Sequence, residues 1–353
     1  MSIDAKKTMG WMGPWLGLGL RGLTLAAALV FLVRGVRWHD MTDTMKRAGF
    51  LLPSVVLGMN ACMMSLRALR LRILLERRLS LASSFASLLT SSAINNLTPL
   101  RGGNVARLWM LERASGVTKS AAMAVTAVEN LIEVSVLAAM GFAASWFVAG
   151  QRWATLATPA VFAVAVGLLV LLRFTAGRTV DATCEACDPI VRAGWRQRLH
   201  QFLLRTAPGF RALCQPGAPA RALLLSLLAW TCETAMIVLA ARAMGLQISF
   251  PLATVVLLGI NLAMALPSTP ASAGPFEGAT VAVLMFAGVG KGPALAFALF
   301  YHALQVIPVT VAGVAALLLA KRCHSPRSRV DAIGPTDEVG REKIGCSGLG
   351  NWR

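Results

Sequence analysis

Residues 81–97 read LASSFASLLTSSAINNL and run into TPLRGG at 98–103. The stretch is apolar enough for a membrane but carries Ser83, Ser84, Ser87, Thr90, Ser91, Ser92, Asn95 and Asn96, eight polar residues in seventeen. A helix facing lipid would not hold that many. Backbone that enters a bilayer without crossing it is tolerated only inside protein or beside water, so this stretch predicts a re-entrant segment followed by a short return helix. Residues 250–266, FPLATVVLLGINLAMAL, are similarly short and end at PSTPASAGP, 267–275. They predict a second hairpin of the same kind.

Around these two stretches lie longer apolar runs at 14–33, 48–66, 120–148, 154–172, 222–241 and 293–320, each near the roughly 20 residues that cross a bilayer. The run 14–33 follows Lys6 and Lys7 but leads into Arg34 without a small-x-small site, so it reads as a retained span, not a leader. The composition agrees: 56% of 353 residues are hydrophobic and 14% charged, against about 25% charged in ordinary soluble domains. Collagen, coiled coil, disorder and a disulfide-stapled secreted domain are excluded on the same grounds. The expected fold is an all-α integral membrane protein with about six spanning helices.

Net charge is +18, from 34 Lys and Arg against 16 Asp and Glu. If both hairpins re-enter, Arg34, Arg37, Lys46, Arg47, Arg152, Arg242 and Lys291 fall outside and Arg21 within a span, leaving 26 of the 34 basic residues inside. That bias predicts both termini in the cytoplasm of a bacterial-type inner membrane, with anionic lipid head groups, not nucleic acid, meeting the positive charge. The expected organisation is a cytoplasmic N-terminus at 1–13, a membrane domain at 14–320 and a polar, disordered cytoplasmic tail at 321–353. A basic cytoplasmic loop at 175–221 divides the membrane domain.

Shifting the chain by 172 residues lays Gly102 on Gly274, Gly116 on Gly288, Val117 on Val289, Lys119 on Lys291, Ala122 on Ala294 and Ala124 on Ala296. Each copy, about 48–148 and 222–320, reads span, Asn-containing short stretch, Pro/Gly turn, short helix, Gly-Val-x-Lys, long span. The charge-derived topology gives the copies opposite orientations, and inverted repeats with matching broken helices are a transporter pattern with the substrate site between the repeats.

The stretches NNLTPLRGGNVARLWMLERASGVTKSAAMAVTAVENLIE (95–133) and PSTPASAGPFEGATVAVLMFAGVGKGPALAFALFYHALQVIPVTVAG (267–313), with RALRLRILLERR (67–78) before them, resemble the flippase-like transmembrane family. That family forms the membrane half of lysylphosphatidylglycerol synthases and includes stand-alone members similar to hopanoid-associated transporters. The resemblance covers about 66–319 and implies an inner-membrane protein moving lipids or lipid-linked molecules between leaflets. The sequence departs from the family at two places. Gly103, Asn104 and Arg107 stand where the family has Gly-Glu-x-x-Arg, and Glu129, Asn130 and Glu133 stand where it has Glu-Arg followed by an acid. About thirty polar residues follow Ala320, so no lysyl transfer by this chain is expected.

Carboxylates within apolar segments are functional candidates by default: Glu129, Glu133, Glu233 and Glu277. Glu129 and Glu133 share one helix face and either exchange a proton or neutralise Arg101 and Arg107. Those two arginines bracket a Gly102-Gly103 turn at a helix start and form either a seat for a head-group phosphate or a positive-inside anchor. In the second copy, Gly274 precedes Glu277, and His302 and Gln305 lie three apart, with His302 able to bond Glu277 or pack silently. Pro308 is expected to kink the last span. Asn95, Asn96 and Asn261 are expected first as caps. Arg101, Gly103, Arg107, Glu129, Glu133, Gly274, Glu277, His302 and Gln305 together form the expected transport path.

Cys184 and Cys187 have metal-ligand spacing near His200 and Cys214, but no second tight pair accompanies them, so neither a metal nor a cofactor is expected. Trp195, Leu199, Phe202 and Leu203 among arginines read as an amphipathic surface helix. Phosphate-binding loops, dinucleotide fingerprints and hydrolase elbows are missing from the sequence. Lipid transport is the expected function. The partners are membrane lipids, anionic or polyisoprenoid, and lipid-synthesis enzymes. An intramembrane lipid-modifying transferase and a scaffold for lipid synthesis are the alternatives.

Overall fold

The computed structural model describes residues 51–98, 102–148, 163, 167, 215–265 and 270–323. These residues form eight helices and no strand: α1 Leu51–Leu74, α2 Leu81–Leu97, α3 Gly102–Ser115, α4 Lys119–Ser145, α5 Ala218–Ala243, α6 Phe250–Met264, α7 Pro275–Phe286 and α8 Lys291–Cys323. A single 3-10 turn, Pro270–Ser272, precedes α7. Helices α1, α4, α5 and α8 are long and apolar enough to cross a membrane, and α6 is a shorter apolar helix. The expected spans at 14–33 and 154–172, the basic loop with Cys184 and Cys187, and the tail lie outside the described residues, apart from Ala163 and Gly167, which are helical.

Local chemistry sets the helix boundaries. Ser80, Thr118 and Ser249 cap α2, α4 and α6, each accepting a backbone N–H three residues on, at 3.0, 3.3 and 3.4 Å. Gly116 and Gly288, 172 positions apart, follow the ends of α3 and α7 at φ 68° and 87°. A β-carbon is disfavoured in that left-handed conformation, which explains why both copies carry glycine there.

The order long helix, short helix, short helix, long helix occurs twice, as α1 to α4 and as α5 to α8. The halves then exchange partners: α1 packs most extensively on α5, α2 on α8, and α6 on α4, while α2 packs on α3 and α6 on α7. Small buried residues on α1 and α5, among them Ala68, Ala222 and Ala229, let the backbones approach, as membrane interfaces require. Helix α1 runs antiparallel to α5, since Arg70 meets Ser226 while Arg67 meets Glu233. Helix α2 also runs antiparallel to α8: Asn96 bonds Thr310 at 2.9 Å, while Leu89 and Ala93 lie against Gly313.

Two expectations are corrected. The span expected at 48–66 continues as helix to Leu74, so Arg67 and Arg70, counted above among the basic residues on the inner side, sit on a helix packed inside the protein. Guanidinium groups tolerate that place because carboxylates on other helices meet them. The asparagines are not helix caps: Asn95 donates to Asn104 at 3.1 Å across the α2–α3 turn, Asn96 reaches α8, and Asn261 bonds its own helix at Leu257. The polar face of α2 does turn inward as its composition demands, with Ser83, Ser84, Ser87, Thr90 and Ser91 all buried. Helix α8 continues through Pro308.

Candidate functional site

Arg70 lies 3% exposed on α1 and is held from three helices. Its Nη1 donates to Ser226 Oγ of α5 at 2.8 Å, and its Nη2 donates to Glu129 and Glu133 of α4 at 3.2 and 2.6 Å. Glu129, 1% exposed, accepts from Arg107 of α3 through its other oxygen. One helical turn before Arg70, Arg67 donates to Glu233 Oε2 of α5 at 3.0 Å and lies 3.7 Å from Glu133. Its guanidinium carbon stands 5.1 Å from the Trp230 ring centre, a cation-π contact that lowers the cost of holding the charge away from water. Gln305 of α8 donates to Glu233 Oε1 at 3.5 Å and to the Tyr301 hydroxyl at 2.5 Å.

These contacts make one chain across both halves: Arg107, Glu129, Arg70, Glu133, Arg67, Glu233, Gln305, Tyr301. Arg67, Arg70 and Arg107 balance Glu129, Glu133 and Glu233, so the chain is neutral as a whole. Neutrality matters because an unpaired charge at membrane depth costs several kcal/mol or more. Among the described residues, the buried Nε–H groups of Arg67, Arg70 and Arg107 nonetheless have no hydrogen-bond acceptor, the Arg67 Nε standing 3.7 Å from Glu133 Oε1, beyond bonding distance. The like-charged pair Glu129 and Glu133 is thus resolved by guanidinium groups, of which only Arg107 was expected. Asn104, which replaces an acid of the family pattern, is used at the hairpin instead, and Arg107 finds its carboxylate on α4.

Gly103 sits where α3 begins against α2. A β-carbon there would land on the Ser91 carbonyl oxygen and 2.8 Å from Asn95 Oδ1. Gly103→Ala is therefore expected to lower stability by about 1–3 kcal/mol, read as a reduced unfolding temperature in detergent. Arg101 lies outside the described residues.

A second polar group is separate from the chain. Glu277, at the third position of α7, accepts from Gly274 N–H at 2.6 Å through Oε2, while its Oε1 lies 2.5 Å from His302 Nδ1 of α8. His302 Nε2 lies 3.0 Å from the Ala271 carbonyl, and the ring stacks on Phe276 with centres 4.2 Å apart. Although His302 and Gln305 are three apart on α8, they serve different groups. Of the expected residues, Arg107, Glu129, Glu133 and Gln305 join the ion chain; Gly274, Glu277 and His302 form the second group; Gly103 packs the hairpin.

The site also includes Arg67, Arg70, Ser226 and Tyr301, which the sequence reading did not place there, and Glu233, which it named without a partner. The available signal was the spacing of Arg67 and Arg70, three apart at the end of an apolar run, which puts both on one helix face. Tyr301, the sole tyrosine, had no such signal.

The fold and the buried ion chain define a polytopic helical membrane protein with two four-helix units joined through charged side chains. The family model described as Lysylphosphatidylglycerol synthase TM region matches residues 16–313, and the chain belongs to that family. No curated protein and no solved structure gives a significant match.

Proposed function

We propose that this protein is a flippase-like transporter of the inner membrane, with both termini cytoplasmic. It moves a phospholipid, hopanoid-like or isoprenoid-linked lipid between leaflets, by passive or proton-linked exchange and without enzymatic chemistry. The observation that carries this reading is the neutral ion chain between the two halves, whose three buried arginine Nε–H donors have no hydrogen-bond acceptor among the described residues. A buried donor left unmade costs about 1–3 kcal/mol, and a polar head group passing between the halves supplies acceptors where those donors lie.

The architecture supports the same reading. The antiparallel packing of α1 on α5 supports copies of opposite orientation. The two short-helix pairs approach α8 from opposite ends, α2 reaching Thr310 and the 270–277 segment reaching His302. Paired half-length helices meeting between inverted copies are where transporters place their cargo. A lipid-modifying transferase is less well supported, because both oxygens of Glu277 and both ring nitrogens of His302 are engaged within the protein. A general acid or base must reach its substrate within hydrogen-bond distance.

The test is leaflet exchange of labelled phospholipid and isoprenoid-linked probes in liposomes holding the protein, beside empty vesicles. The double variant Arg67→Gln, Glu233→Gln removes one positive and one negative charge, keeping the chain neutral, and is expected to stay folded while exchange slows about tenfold, or about 1.4 kcal/mol in barrier. Exchange no faster than in empty vesicles for every probe would overturn the reading. A double variant as fast as the wild type would remove Arg67 and Glu233 from the path and leave the transport reading standing without them.

A further inference from the structure

The turn before α7 is held in an unusual conformation. Ala271 and Ser272 have φ of 54° and 57°, and Gly274 has 96°; the left-handed region disfavours a β-carbon, so two of these three residues carry strain. The turn packs against α2 of the other half. It is fastened by His302 to the Ala271 carbonyl and by Glu277 to Gly274 N–H, with the two side chains joined at 2.5 Å.

Hydrogen counting fixes what this fastening needs. A carbonyl only accepts, so Nε2 of His302 carries a hydrogen, and Glu277 Oε2 must be free to accept from Gly274. One proton then remains for the Nδ1–Oε1 contact, on either atom. A second proton would set N–H against O–H and break the contact, whereas loss of the one present would set two lone pairs face to face. Among the described residues, the neighbouring helices supply no competing charge at the turn. Helices α2 and α6 have no ionisable side chain. On α8, Tyr301 turns to Gln305, through which lie Glu233 of α5 and Arg67 and Arg70 of α1, occupied with one another.

We propose that Glu277 and His302 form a proton-binding latch: with one shared proton they hold the 270–274 turn against α2, and binding of a second proton releases it, parting the two halves. This rests on the transport reading and supplies its regulation. The proton arrives at Glu277 Oε1 or His302 Nδ1 and leaves by the same atoms, with no covalent bond between heavy atoms made or broken.

The test places nitroxide labels at Pro270→Cys and Leu97→Cys, both on exposed positions, in protein whose native cysteines are replaced, and measures their distance in liposomes at about pH 6.5 and about pH 3.5, values on either side of carboxyl titration. In the wild type the longer-distance population is expected to grow from a minority to a majority on acidification. Glu277→Gln can keep every hydrogen bond, its amide donating to Nδ1 and its oxygen accepting from Gly274, but it lacks the shared proton; it is expected to keep the short distance at both values. His302→Leu, which loses both ring contacts, is expected to show the long distance at both. An unchanged wild-type distance, or a Glu277→Gln response equal to the wild type's, overturns the latch. Separation that follows pH without leaflet exchange keeps the latch and overturns the transport reading.

Discussion

Arg70→Met is expected to destabilise the folded protein by about 3–5 kcal/mol, the usual cost of stripping one partner from a buried ion network. The methionine fills much of the same volume, so the loss is electrostatic. Glu133 retains Arg67 at 3.7 Å and Glu129 retains Arg107, but three carboxylates then face two guanidinium groups, and Ser226 loses its donor. Arg70→Lys is expected to fall between, because one ammonium cannot reproduce the fork that meets Ser226 and both glutamates. Adding Glu133→Gln to Arg70→Met restores neutrality and is expected to recover more than half of the lost stability. Unfolding in detergent and the yield of monodisperse protein measure all three variants. Equal stability of Arg70→Met and wild type would mean that the chain of contacts carries no coupling energy.

Gly313→Leu is expected to be about as damaging, for a steric reason. Gly313 faces α2, and a β-carbon there would fall on the Leu89 carbonyl oxygen and 2.6 Å from the Ala93 Cβ. Backbone cannot step aside as a flexible side chain can, so α2 and α8 must separate along the contact that joins the two halves. Overpacking costs about 1–3 kcal/mol in a core that adapts and more in one that does not, so a loss of at least about 3 kcal/mol is expected. Gly278, whose added β-carbon would meet nothing within 4 Å, is the control: Gly278→Ala is expected to leave the unfolding temperature nearly unchanged. A Gly313→Leu protein as stable as the control would show that the halves are not clamped at this contact.

Much of the architecture was legible in the sequence because its cause is local. A helix in lipid must satisfy its own backbone, so length and hydropathy are enough to locate α4, α5 and α8 within a few residues. The polar load of residues 81–97 foretold a helix turned toward protein, and the glycines at 116 and 288 marked matching helix ends. The meetings of Arg107 with Glu129 and of Glu277 with His302 were each one of two alternatives the sequence left open, because polar groups in apolar segments need a partner but do not name it.

Only the tertiary structure decided which partner each charge takes. Hydropathy ended the first described span before Arg67, because an arginine costs too much in lipid; Glu133 and Glu233, 66 and 166 residues further along the chain, make its place on α1 tolerable. The sequence by itself therefore determined that charges are buried and must be balanced. The exchange of helices between the two halves determined the pairs, since contact between α1 and α5 or between α2 and α8 depends on packing across sequence distances that no local pattern encodes.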